Sequence, residues 1–294
     1  MADEAKPVPN IRTRRIAQAI AAWREESGQT LEEVASGAGW SKSKQSRLEN
    51  AAGPITPVDV VTLAMHFRRP VKERESLFQD AQTAQTKQWW DQISADAFAA
   101  DVRSYVALEA EAEEVRTFKI DVIPGLFQTE SYARAMEYAA LFPEDQDADG
   151  VAAAVEERVG ARIQRQSRLT DDTPLRVRAI LAEAALRNQV GGTEVWREQL
   201  QRLAELMTLP NVEIRFQRPE DGAYLAMGQP FSLLTFAKGV SEVGYVELRR
   251  VGVYLEKDAE VREQIRTFDV MWESAAGPDA SAKLLAGIIE GIDP

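Results

Sequence analysis

The chain has 294 residues, one histidine, no cysteine and a formal net charge of -12. The missing cysteines exclude disulfides and thiolate zinc sites, while 45% apolar and 28% charged residues are enough to build a globular core. Residues 1–83 carry 12 Lys+Arg against 11 Asp+Glu and residues 84–294 carry 23 against 36, so the acidic body repels phosphate and any contact with nucleic acid must be local.

In chain order, MADEAKPVPN (1–10) has two prolines and no periodicity, and reads as a disordered tail. It has no apolar segment of the signal-peptide kind, and no apolar run in the chain is long enough to span a bilayer. From Ile11 the pattern changes: Ile16, Ala19, Ile20 and Trp23 recur at helical spacing and predict a first helix ending near Gly28. Arg12, Arg14 and Arg15 are placed just ahead of it, as a basic arm that tracks a DNA backbone. Thr30 with Glu33 forms a capping box for a second helix, whose buried stripe is Leu31, Val34 and Ala35. Gly37 and Gly39 are expected to break it. Ser41 caps a third helix with Leu48 inward, and further helices follow over about 57–67 and 71–81.

The second helix, the glycine break and the third helix have helix-turn-helix spacing. Ala35 leaves room for the helices to approach, and Gly39 suits a positive φ in the turn. The third helix then exposes Lys42, Ser43, Lys44, Gln45 and Arg47, a polar and basic face of the size the major groove of B-DNA admits. Ser41 starts that helix, and Thr30 with the amides of the second helix is placed to meet a phosphate. A solvated surface helix in an interaction domain is the plainer alternative. His66 is read as a packing residue.

SKSKQSRLENA (41–51) is similar to the recognition helix of the Xre/phage-repressor family, and residues 13–80 resemble its DNA-binding domain. Two positions depart from the family pattern. Leu31 stands where glutamine is common, and Gln45 stands where an apolar residue is usual.

Beyond the polar connection at 84–88, residues 89–294 form the second expected domain. One helix is read from Trp89 to Val115, with Phe98, Val102, Tyr105 and Leu108 on one side. VIPGLFQTESY is a Pro-Gly turn leading into a helix capped by Thr129, with Phe127 and Tyr132 as candidates for a partner or ligand groove. Packing is the alternative there. FPEDQDADG is an acidic loop, followed by an arginine-rich amphipathic helix at 151–169. After Pro174 the period falls to two: LRVRAIL, NVEIRFQ, PFSLLTF, GYVEL and VGVYL read as strands, the last two joined at Arg249–Arg250. Helices are expected at 193–208, 258–275 and 281–289. Tyr224 and Met227, near Phe231, flank a Gly-rich loop that either rims a pocket or packs. The fold class expected is mainly α with α+β: a five-helix helix-turn-helix domain at 11–83, then an α+β domain with a small antiparallel sheet. The Glu109, Glu111, Glu113, Glu114 cluster reads as a solvated helix face rather than a metal site.

LEAEAEEVRTFKIDVIPGLFQTESYARAM, LAEAALRNQVGGTEVWREQLQRLAELMTLPNVEIRFQ, and GQPFSLLTF with VGYVEL and VGVYLEK resemble the C-terminal domain of actinobacterial antitoxin-like transcriptional regulators of the WhiJ type. That resemblance implies a small BldB-like partner protein. With a single histidine outside this region, and no Walker or dinucleotide fingerprint, Ser-His-Asp and Cys-His catalysis are excluded there. The expectation is a cytoplasmic, homodimeric regulator of a double-stranded DNA operator, a repressor or an activator, with no cofactor, metal or membrane partner and no enzymatic activity. A ligand-sensing regulator with a small molecule in the second domain is one rival. An antitoxin that sequesters a partner protein is another.

Overall fold

A computed structural model of the chain describes residues 9–86, 88–92, 100–142, 144, 149–237, 240–248 and 252–292. The tail at 1–8, Phe98, most of the acidic loop and the Arg249–Arg250 turn lie outside the described residues. The chain divides into two compact units, residues 1–92 with 237–240, and the remainder.

The first unit contains α1 (Ile11–Ser27), α2 (Leu31–Ala38), α3 (Lys42–Glu49), α4 (Pro57–His66) and α5 (Val71–Thr83). Side-chain caps set the starts of α1 to α4. Asn10 caps α1 through the Thr13 amide, Thr30 and Thr56 form capping boxes with Glu33 and Asp59, and Ser41 accepts from the Lys44 amide. Removing such a cap costs roughly 1 kcal/mol. Ile16, Ile20, Trp23, Val34, Leu48 and Leu63 meet in one core, and burial of each large apolar side chain contributes about 1.5–3 kcal/mol.

Two local expectations change. α1 begins at Ile11, so Arg12, Arg14 and Arg15 belong to a helix and form no basic arm. Arg14 is buried and donates to the Pro9 carbonyl, and Arg15 pairs with Asp80 at 2.9 Å. Gly37 does not end α2, which continues to Ala38. A Cβ at Gly37 would lie 2.4 Å from His66 Cε1, so this glycine lets α4 approach. His66 is held there by Gln29 at 2.8 Å and by an edge-on contact with Phe67.

The second unit begins its regular structure with α6 (Ala100–Glu111) and β1 (Glu114–Lys119). The single helix expected from Trp89 to Val115 therefore gives way to a strand at its end. EVRTFK is rich in residues that fit a pleated surface, and its pairing on both sides decides the outcome. α7 (Glu130–Ala139) and α8 (Val151–Arg165) lead to β2 (Arg176–Ala182). α9 (Glu183–Arg187) and α10 (Thr193–Leu206) lead to β3 (Val212–Gln217). β4 (Phe231–Thr235), β5 (Val243–Glu247), β6 (Gly252–Leu255), α11 (Asp258–Ser274) and α12 (Pro278–Glu290) complete it.

The sheet is neither small nor antiparallel throughout. It has six strands in the order β3-β2-β1-β4-β5-β6, with β1, β2 and β3 parallel and the other pairs antiparallel. The helices between β1, β2 and β3 supply the crossovers that parallel neighbours require. The sheet buries both faces. On one, Phe118, Ile180, Phe231 and Leu233 pack against Phe268, Met271 and Trp272 of α11. The opposite face carries Val115, Thr117 and Lys119, as the strand period of two dictates. Among the described residues, no helix is long and apolar enough to cross a membrane.

Candidate functional site

The α2–α3 corner is built by backbone chemistry. Gly39 adopts φ 77°, the Trp40 amide donates to the Ala35 carbonyl at 3.0 Å, and Ser41 restarts the helix. A Cβ at Gly39 would meet nothing within 4 Å, so the constraint there is φ, not space. Ala35 is buried, where the close approach of the two helices places it.

A partly buried polar chain fixes α3 against α1. Trp40 Nε1 donates to Gln45 Oε1 at 3.0 Å, Gln45 Nε2 donates to Glu49 Oε1 at 2.8 Å, and Arg24 Nε donates to both Glu49 oxygens at 3.0 and 2.8 Å. Gln45 is fully buried. It is therefore withdrawn from the exposed face to which the sequence assigned it, because a glutamine at an apolar position is stable only with its amide satisfied on both sides.

The outward face of α3 consists of Ser41, Lys42, Ser43, Arg47 and Asn50, all exposed, with Lys44 partly covered. The Arg47 side chain has no ion-pair or hydrogen-bond partner among the described residues. Lys42 lies 3.6 Å from Glu32 in an exposed pair, a contact worth about 0–1 kcal/mol and easily exchanged for phosphate. Lys44 is committed inward: its ammonium is 2.6 Å from Asp59 and 4.2 Å from the Trp40 ring centroid. Burial acts to raise the Asp59 pKa, but hydrogen bonds from Lys44 and Thr56 outweigh it and hold the carboxyl below its ordinary value. Thr30 is exposed, yet its hydroxyl and amide both engage Glu33. The Thr30 amide, and then its hydroxyl, hold the Glu33 carboxyl below its ordinary value. With Glu32 beside it, the first turn of α2 carries two carboxylates, which oppose a phosphate at that helix end.

The C-terminal candidates divide. Phe127 and Tyr132 are fully buried, so neither lines an exposed groove. Phe127 is the last residue of a 3-10 turn, and Tyr132 packs inward from the first turn of α7. Tyr224 is partly buried and meets Phe118 edge-on at 5.6 Å, a packing contact. Met227 is 64% exposed on the Gly-rich loop. Glu109 is not solvated either: it is buried and accepts two hydrogen bonds from Arg165 at 2.6 and 2.7 Å.

A cavity of about 550 Å3 lies within this unit, between the Val115–Thr117–Lys119 face of the sheet and α6, α7 and α8. The sequence reading did not find it. Two signals point to it: Arg158, Arg162 and Arg165 recur at i, i+4, i+7 on α8, and Lys119 falls in phase with Val115 and Thr117.

Residues 15–77 match the model of a helix-turn-helix domain (HTH_31), and residues 102–287 match that of a domain of unknown function (DUF5753). No curated protein and no solved structure matches the chain.

Proposed function

The chain belongs to the DUF5753 family, and from that premise we propose that it is a cytoplasmic, sequence-specific transcription regulator whose α3 reads an operator in the major groove of double-stranded DNA. The helix-turn-helix match suggests DNA binding, and the observation that carries the reading is α3 itself. It follows a glycine turn, is locked from behind by the Trp40–Gln45–Glu49–Arg24 chain, and turns Lys42, Ser43 and Arg47 outward. In this reading Lys42 meets phosphate and Arg47 meets phosphate or a guanine edge. Ser41 and Ser43 complete the polar face, Lys44 supports the helix through Asp59, and Gln45 positions it from inside. Two copies on a palindrome supply the discrimination that one short helix lacks. The likeness to antitoxin-like regulators supports a small BldB-like protein as partner. The reading includes no catalytic step.

Selection from a genomic fragment library at near-physiological salt, using the full chain and the Lys42→Ala, Arg47→Ala double variant, tests this. A short palindrome recovered by the wild type and lost by the variant is the expected result. Equal recovery by both proteins removes α3 from the groove. No enrichment by the wild type, with or without the neighbouring gene's product, assigns the surface to protein contacts instead.

The C-terminal cavity favours a second element in the same reading: regulation by a small molecule.

A further inference from the structure

The cavity in the C-terminal unit is walled by charge in an unusual proportion. Its lining includes Lys119, Arg158, Arg162 and Arg165 together with Glu109, Glu137 and Glu247, four cations to three carboxylates. Burying such groups is unfavourable unless each is paired and hydrogen-bonded, so the pairing pattern shows what each is for.

Most are closed on one another. Glu109 takes both of its hydrogen bonds from Arg165, at 2.6 and 2.7 Å. Glu137 accepts from Arg158 on one oxygen and from Arg162 on the other, both at 2.6 Å. Arg162 also donates to Gln128 at 3.0 Å, and Gln128 in turn donates to the Ile123 carbonyl at 2.7 Å. Thr117 and Ser232 share a hydrogen bond at 2.9 Å. These groups form a satisfied wall.

Lys119 is the exception. Its side chain is 15% exposed, and its one charged neighbour within ion-pair range among the described residues is Glu247 at 3.9 Å, which is itself 58% exposed. No hydrogen bond holds the ammonium among the described residues. Burial pulls its pKa below that of a free lysine, against the opposing pull of Glu247. A lysine long enough to reach solvent from a strand end is instead retained over the cavity, with none of its three donors in a hydrogen bond among the described residues.

The rest of the lining is apolar. Val102, Ile123, Leu126, Met136, Leu141 and Val177 contribute surface around the charged groups. Tyr105 and Tyr245, 4.4 Å apart, close one side, and burial, then the Glu109 charge, keep the Tyr105 phenol neutral by holding its pKa well above the ordinary value. A cavity of this volume is in the range of small-molecule sites, roughly 300–1,000 Å3.

We propose that this cavity binds a small amphipathic organic acid, with a single anionic head on Lys119 and an apolar body along the aliphatic and tyrosine walls. The excess cation selects one negative charge. A second charge on the ligand would meet Glu109, Glu137 or Glu247, so di- and triphosphates are disfavoured. The site lies wholly in the C-terminal unit, and its occupancy does not depend on the operator reading.

The test uses fluorescence of the full chain with 8-anilinonaphthalene-1-sulfonate and with its neutral parent, N-phenyl-1-naphthylamine. Displacement by decanoate and by decanol follows. Saturable binding of the sulfonate is expected, displaced by decanoate at concentrations at least about tenfold below those of decanol. Lys119→Met should weaken the sulfonate by about tenfold or more, change the neutral dye by less than about twofold, and leave the thermal midpoint no lower than wild type. Lys119→Arg should retain the sulfonate. Equal affinity of Lys119→Met and wild type for the sulfonate overturns the proposal, as does equal weakening of both dyes. Absence of saturable sulfonate binding also overturns it. Should Lys119→Met not fold, decanoate and decanol on the wild-type protein decide, and equal displacement overturns it. No DNA is present, so failure here leaves the operator reading standing, and failure to find an operator leaves the site standing.

Discussion

Each unit buries a cluster of charged and polar side chains, and the two clusters end differently. In the N-terminal unit the chain runs Trp40, Gln45, Glu49, Arg24, and the Glu49 carboxylate is saturated by donors from α1 and α3. In the C-terminal unit Glu109 with Arg165, and Glu137 with Arg158 and Arg162, close in the same way, but Lys119 does not. A closed cluster specifies geometry, because a half-made version is costly. An open one holds free energy in reserve for whatever completes it. The first kind shapes a surface that acts outward; the second leaves an interior site to be filled.

The largest effect expected comes from breaking a closed pair. Arg165→Met strands Glu109, which is 3% exposed, and should lower stability by about 3–5 kcal/mol. Lys119→Met strands nothing buried and should cost no stability. Differential scanning calorimetry of the two variants separates them. Equal losses would mean that Lys119 is as well paired as Arg165, and the contrast between the clusters would vanish.

Gln45→Leu comes next. It removes the acceptor for the Trp40 indole and one donor to Glu49, and should destabilise the N-terminal unit by about 1–3 kcal/mol. Operator affinity should fall for all sequences alike, with an unchanged salt slope, since no phosphate contact is lost. A variant as stable as wild type that relaxes specificity at one base position would place Gln45 on the DNA.

What the sequence disclosed follows from the range of the interactions involved. The five helices of the first unit are legible because caps and glycine turns act over three or four residues. The Thr30–Glu33 capping box, the Ser41 cap and the positive φ of Gly39 all appear as read. The inward turn of Gln45 was hinted at only by the apolar residue usual at that position; the Trp40 and Glu49 partners that satisfy its amide are local, but Arg24, which anchors Glu49 from α1, is visible only in the folded chain. β1 was hidden because EAEEVRTFK continues a helical pattern, and only pairing with β2 and β4 selects the strand. Losing β1 also lost the parallel half of the sheet, and with it the face that carries Lys119. The arginine stripe of α8 was visible as composition. Its meaning depended on knowing which sheet face it opposes.

Arg47→Ala is expected to be smaller in stability and selective in function. Its side chain is exposed and without a protein partner among the described residues, so folding should change by less than about 0.5 kcal/mol. Operator binding should weaken by about 1–3 kcal/mol if Arg47 reads a base edge. If it meets a phosphate, binding should weaken uniformly and the salt slope should drop by about 1. Titration of the selected operator and a scrambled duplex at several salt concentrations distinguishes the two. Unchanged binding on both duplexes would show that the open cation of α3 serves no DNA contact.

The smallest effect tests where Lys44 belongs, between the inner framework and the outer face. Asp59 is held below its ordinary pKa by Lys44 and Thr56 against the opposing effect of burial. A carboxyl depressed in the folded state contributes stability that is fully present above its unfolded value, about 3.9, and is lost as pH falls through the folded value. Lys44→Met removes the strongest of the lowering contacts and leaves burial opposed only by Thr56. The folded pKa of Asp59 then rises, and the acid unfolding midpoint of the N-terminal unit should move to higher pH, followed by circular dichroism. An unmoved midpoint would mean that the Lys44 ammonium spends its time in solvent. It would then rejoin Lys42 and Arg47 as a DNA contact, and the boundary between the cluster that shapes α3 and the face that reads DNA would shift outward by one side chain.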